Sequence, residues 1–325
     1  MMTTFSRRAS HVDAQWNDVI VLLESSMRGE HVLCQLGLYT GGCEDLTFDL
    51  LDEPVGDHVH RPRDEYVRIG RQLSAQIGEL EAELLPVRTG SLIRVVLHAP
   101  NTVLHCDSVV PDQHVIGFAP VERVTGAMSL PEAPVVRDSD RLVADLANKL
   151  RERMSLHSQN PGGWLTERPV NDDSPDDVPV ADSSRIRAEG ATSGPQADLC
   201  RKAVDPRDLH YVAWCRDGEP LCVFDCFDDR HMSRHFNRMI SPADRRDFYA
   251  AFCAKLPERV GQLGRTANRA LGGRLQRIVF DVEQGAIYYY RLGARQYLVG
   301  VTLKQAEVAN TDRRLARLAA ELHTR

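Results

Sequence analysis

The sequence predicts an α+β protein made of small antiparallel sheets with helices laid on them. Three observations predict it. Arg274 to Val282, Ala286 to Leu292 and Arg295 to Leu303 are strand-like runs separated by Gly285 and Gly293, the pattern of a meander with tight turns. From Thr311 the period changes, and Leu315, Leu318, Ala319 and Leu322 fall on one helical face with Thr311 placed to cap it. At 325 residues the chain exceeds a typical single domain. Its middle, rich in Pro, Gly and clustered acids, marks a flexible linker over 157–196 between an N-terminal α+β domain, 1–156, and a C-terminal domain, 197–325.

The elements follow in order. Val12 to Met27 carries Trp16, Val19, Ile20 and Leu23 on one helical face, with Ser10 or Asp13 as cap. Val32 to Tyr39 and Leu46 to Leu51 make a hairpin across Thr40-Gly41-Gly42-Cys43, and Asp57 to Arg63 is a loop. Asp64 to Leu85 is a helix through Tyr66, Ile69, Leu73, Ile77, Leu80 and Leu84, stopped by Pro86. Ser91 to His98, Thr102 to Val109 and His114 to Phe118 are strands, and Asp138 to Met154 is a helix. Trp164 and Leu165 are the only large apolar pair in the linker.

Beyond it, Gln196 to Val204 is a short helix. His210 to Arg216 and Glu219 to Phe227 form a hairpin across Asp217-Gly218. Ser241-Pro242-Ala243-Asp244 starts a long helix bearing Phe248, Phe252, Leu256, Val260, Leu263, Ala267 and Leu271 on one side, with a kink or split expected at Pro257.

A formal charge of −6 and a pI near 6.1 give no general attraction to nucleic acid. No apolar run approaches the ~20 residues that span a bilayer, and the first residues lack the apolar segment of a secretion signal, so the protein is expected to be soluble and cytoplasmic. Eight scattered cysteines read as reduced, buried thiols.

The order helix, two strands, long helix, three strands, helix over residues 197–325 resembles the roadblock/LC7 family. The most similar stretch is Tyr297-Leu298-Val299-Gly300-Val301-Thr302-Leu303 followed by Asp312 to Leu322. The sequence departs from the family in the insert Asp228 to Ile240, in Pro257, and in a glycine turn reduced to Gly272-Gly273. The resemblance implies a homodimer that pairs the second helices and continues the sheets across a two-fold. It also implies a non-enzymatic partner of a Ras-like small GTPase. Phe248, Phe252, Leu256 and Leu263 would then dock a second copy, and Arg265 and Arg269, with Arg274 and Arg277, would face the GTPase. The first half has the same element order with no matching residues apparent, which leaves a degenerate tandem or an unrelated module.

Chemical sites are sparse. Cys222, Cys226, His231 and His235 would gather zinc only if the strand broke, because residues four apart on a strand are ~13 Å apart. Asp228 and Asp229 read as a solvated strand end, and Arg230, Arg234, Arg238, Arg245 and Arg246 as a local basic patch that steers an acidic partner. Gly261-Gln262-Leu263-Gly264 reads as a close-packing spot. No nucleophile elbow, phosphate loop or dinucleotide turn occurs, so no cofactor or metal is expected. The alternatives to an interaction module are a small-ligand sensor of profilin-like or PAS-like build, with an apolar pocket among Trp214, Phe224, Phe280 and Tyr288, and an unrecognised hydrolase.

Overall fold

The computed structural model describes residues 4–29, 32–50, 63–121, 131, 133–166, 186–229, 232 and 239–323. In chain order these form β1 (Phe5–Arg8), α1 (Asn17–Gly29), β2 (Gln35–Thr40), β3 (Cys43–Asp49), α2 (Arg63–Leu84), β4 (Leu92–Ala99), β5 (Thr102–Val110), β6 (Gln113–Pro120) and α3 (Pro134–Arg153). The same order then recurs in β7 (Arg187–Gly190), α4 (Pro195–Ala203), β8 (Tyr211–Arg216), β9 (Glu219–Asp225), α5 (Pro242–Leu271), β10 (Arg277–Val282), β11 (Gly285–Arg291), β12 (Gln296–Thr302) and α6 (Val308–His323). The edge strands β1 and β7 escape sequence reading because they are largely exposed and show no apolar alternation.

One 12-stranded sheet contains every strand among the described residues, in the order β1-β3-β2-β6-β5-β4-β10-β11-β12-β8-β9-β7. Each half contributes one side, and the halves meet where β4 runs antiparallel to β10 with Val96 opposite Val279. Period-two alternation sorts the seam onto two cores. Val95, Leu97, Ile278 and Phe280 point into the layer of α2 and α5. Val96 and Val279 point into the layer of α1, α3, α4 and α6. Across the first layer Gln76 Nε2 donates to Thr266 Oγ1 at 2.9 Å, and Arg259 Nε donates to Glu83 Oε2 at 3.0 Å. The two-fold pairing expected between two copies is therefore made inside one chain.

The register exposes the residue matches that inspection of the first half misses. Arg94, Val96 and Gly117 occupy the places of Arg277, Val279 and Gly300. The same ungapped correspondence sets Arg63, Tyr66, Leu73, Gly78 and Leu80 on Arg246, Tyr249, Leu256, Gly261 and Leu263. In the hairpins Phe48 and Asp49 match Phe224 and Asp225, and both ladders shift register at the same point, between Leu38 and Tyr39 and between Trp214 and Cys215. Asp49 accepts from Arg63, and Asp225 from Arg246, each at 2.8 Å. An added Cβ at Gly117 would come within 2.7 Å of Val143 and one at Gly300 within 2.3 Å of Leu315, so each glycine lets a helix lie close on its half of the sheet.

Two local expectations are corrected. Pro257 does not split its helix, since α5 is continuous from Pro242 to Leu271; the Tyr297 hydroxyl donates to the Cys253 carbonyl, whose helical donor Pro257 lacks. Thr311 does not cap the last helix, which starts at Val308; its hydroxyl instead donates to the Asp208 carbonyl at 3.1 Å.

The segment expected to link the halves contributes structure at both ends. Gly162 N donates to Asp281 Oδ2 at 2.7 Å, and the Arg141 guanidinium lies over the Trp164 ring. β7 pairs with β9. Residues 167–185 lie outside the described ones.

Candidate functional site

Two places concentrate charge, one on each face of the sheet. At the seam, the alternation that sends Val96 and Val279 toward α3 and α6 sends Arg94, His98, Arg277 and Asp281 with them. All four are buried. Arg94 Nε donates to Asp281 Oδ2 at 2.9 Å across the seam, and its Nη1 pairs with Asp140 of α3. Arg277 Nε donates to Asp312 Oδ1 of α6 at 3.0 Å. Each half thus anchors its last helix to its seam arginine.

Burial alone would keep these acids neutral, and their neighbours decide otherwise case by case. Burial opposes ionisation of Asp140, but Arg94 and His105 outweigh it and hold the carboxyl below the usual range. Asp281 is pushed up to about 6 by burial, with Arg94, the Gly162 N–H and Gln305 pulling it back. Neither carboxyl oxygen of Asp107 has a hydrogen-bond partner among the described residues, and burial drives its pKa well above the usual carboxylate range. Burial, then the charge of Arg277, pushes the His98 imidazole well below its ordinary value. A cavity of about 270 Å³ opens on this network, walled by Arg94, Asp140, Gly162, Trp164, Arg277 and Asp312.

The second place lies on the opposite face, between α5 and the β11–β12 hairpin. A cavity of about 350 Å³ there has Arg265, Arg274, Arg291 and Arg295 at its rim and Val260, Leu275, Tyr289 and Tyr297 among its walls. Arg291 Nε is fixed by the Leu275 carbonyl at 2.9 Å, and Arg295 Nε donates to Asp217 Oδ1 at 2.7 Å. Asp217 is the one acidic residue in the lining.

The predicted residues divide between these places and the interior. Phe252, Leu256 and Leu263 are buried, and Phe248 is half-buried against the same core as α2. The helix face expected to receive a second copy is covered by the first half of the same chain, because α2 carries the matching apolar stripe. Arg265 and Arg274 line the second cavity; the side chain of Arg269 lies outside the described ones. Arg277 does not join them. Strand alternation turns it to the other face, where it is paired with Asp312. Arg291 and Arg295 take part instead, and the signal for them was a hairpin brought beside the helix by pairing that sequence spacing alone does not give.

Other candidates are structural. Arg245 is buried, with Nη1 donating to the Val87 carbonyl at 3.5 Å, and Arg246 pairs with Asp225 and Asp228; residues 230, 231, 234, 235 and 238 lie outside the described ones. Cys222 and Cys226 are buried thiols, the second donating to the His210 carbonyl. Phe280 faces the opposite core from Trp214, Phe224 and Tyr288, so the apolar pocket expected among them does not form. Gly261 and Gly264 are not a close-packing spot, since an added Cβ would meet only Arg265 Nη1 at 3.4 Å or Leu275 Cδ1 at 3.9 Å. Among the described residues no group of three or more His, Cys, Asp or Glu is arranged to hold a metal ion, and no helix is long and apolar enough to cross a membrane.

Neither a protein-family model nor a curated protein matches the chain. A solved structure described as MglB with tetrameric arrangement is similar at 16% identity, covering 44% of this chain and 93% of that one, with a TM-score of 0.30. The match is distant and partial, and a TM-score that low carries no functional weight. The architecture itself is α+β, one multi-strand sheet with helices on both faces.

Proposed function

We propose that the chain is a non-enzymatic interaction or scaffold module whose partner presents an acidic surface, a Ras-like small GTPase being the specific reading. One observation carries it: in a chain of net charge −6, the outer side of α5 and the adjoining hairpin gather four arginines around one acid. Such a local field steers and orients an oppositely charged partner. The buried histidines and acids support a non-enzymatic role, because Arg94, Asp140, Arg277 and Asp312 are consumed in joining halves and helices rather than presented to a substrate. Phe252, Leu256 and Leu263 serve the same module as its internal interface, making a two-fold platform from one polypeptide.

The test is direct binding of the purified chain to Ras-like GTPases loaded with GDP or a GTP analogue, at low and moderate salt, with Arg265→Glu and Arg274→Glu as variants. Binding that weakens at least tenfold in either variant and falls with salt is expected. Equal binding by wild type and both variants, or none by any GTPase of the panel, overturns the reading.

A further inference from the structure

Helix α5 places Gly261 and Gly264 one turn apart, each costing about 1 kcal/mol of helix stability relative to alanine. A glycine in such a place usually admits a close neighbour. Here neither does. The nearest atoms to an added Cβ are 3.4 Å and 3.9 Å away, and at Gly293, on the facing hairpin, nothing lies within 4 Å. The three glycines leave space, and that space is the cavity of about 350 Å³ beside α5.

Its lining has two kinds of surface. Val260, Leu275, Tyr289 and Tyr297 give apolar and aromatic walls, all buried. Arg265, Arg274 and Arg291 reach the rim with no carboxylate within ion-pair distance among the described residues, whereas Arg295 is matched by Asp217. Planar guanidinium forks at the rim of a partly apolar hole suit the doubly charged head of a phosphate ester, and the volume is that of a small-molecule site.

The first half is an internal control. It keeps Gly78 at the place of Gly261, where an added Cβ would meet nothing within 4 Å. Where the second half has Arg265, Arg274, Arg291 and Arg295, the first has Ala82, Ser91, Ser108 and Asp112. The same fold therefore does without the arginines; they are specific to one copy, as a binding site would be and a structural requirement would not.

We propose that this cavity binds a small soluble phosphate ester, with Arg265, Arg274 and Arg291 holding the phosphate and Val260, Leu275 and Tyr289 receiving its apolar or aromatic body. A GTPase that fails to bind leaves this chemistry untouched. The experiment is isothermal titration of the full chain with phenyl phosphate and with inorganic phosphate, beside sedimentation with phosphatidic acid vesicles. The variants are Gly264→Leu, which fills the hole from a helical position, and the exposed pair Arg265→Ala with Arg274→Ser, which restores the residues of the first half. Phenyl phosphate is expected to bind at least tenfold more tightly than inorganic phosphate. Both variants should lose at least tenfold in affinity while the melting temperature of the arginine pair variant stays within a few degrees of wild type. No binding of phenyl phosphate, binding to vesicles alone, or affinity unchanged in the arginine pair variant overturns the proposal.

Discussion

Tyr297 donates its hydroxyl to the carbonyl of Cys253 at 2.7 Å, four residues before the proline whose missing N–H would have bonded that carbonyl. A buried carbonyl left without a donor costs ~1–3 kcal/mol. Tyr297→Phe should therefore destabilise the protein by about that much in urea denaturation. In a Pro257→Ala background, where the helix supplies its own N–H, the same change should cost clearly less. Equal costs in the two backgrounds would show that the hydroxyl does not stand in for the helical bond.

Residues 197–325 expressed alone should form a two-fold dimer. Without the first half, Phe252, Leu256 and Leu263 lose their cover and β10 becomes an open edge. Burying each large apolar side chain is worth ~1.5–3 kcal/mol, enough in sum to drive association. Sedimentation equilibrium should give a dimer at micromolar concentration that Phe252→Asp disperses. A monomer would mean the fragment closes on itself.

The domain division at 157–196 makes a related prediction. Limited proteolysis should cut within that segment, and the fragments should then co-elute, because the β4–β10 ladder and the contact of α2 with α5 join them independently of the connection. Fragments that separate on gel filtration would assign the coupling to the segment itself.

Arg277 and Asp312 make a buried pair whose members need each other. Arg277→Met leaves Asp312 buried without its cation and should cost ~3–5 kcal/mol, whereas Arg277→Met with Asp312→Leu should recover much of the loss. Denaturation midpoints decide it; a double variant as weak as the single would place the damage in packing.

Asp281 sets a pH dependence. Its folded-state pKa of about 6 lies above the ordinary carboxylate value of ~3.9. The folded chain therefore holds this proton more tightly than the unfolded chain does. The stability so gained is complete below pH ~4 and is lost as pH rises through about 6, a change of about 3 kcal/mol by linkage. The stability of wild type relative to Asp281→Asn should fall between pH 4 and pH 7 and level off above. A difference independent of pH would overturn the assignment.

Much of the architecture was legible because local rules decide it. Alternation gives β10 to β12, the 3.6-residue stripe gives α2 and α5, and Ser241 caps α5 by accepting from Asp244 N at 3.1 Å. The sites were less legible. Arg277 was grouped with Arg265 by proximity in sequence, yet helix and strand send them to opposite faces.

The sequence by itself determined where helices and strands form and which faces are apolar, since these depend on neighbours a few residues away. It also contains the repeat, but only as scattered identities such as Arg94 with Arg277 and Gly117 with Gly300. Their meaning depends on register. Only the tertiary structure decided that Phe252 and Leu263 meet the chain's own α2 rather than a second copy, and that Arg291 and Arg295 join Arg265 and Arg274 around one cavity. An apolar stripe specifies that it must be covered, not by what; the covering element was chosen by the pairing of β4 with β10, a contact between segments far apart in the chain.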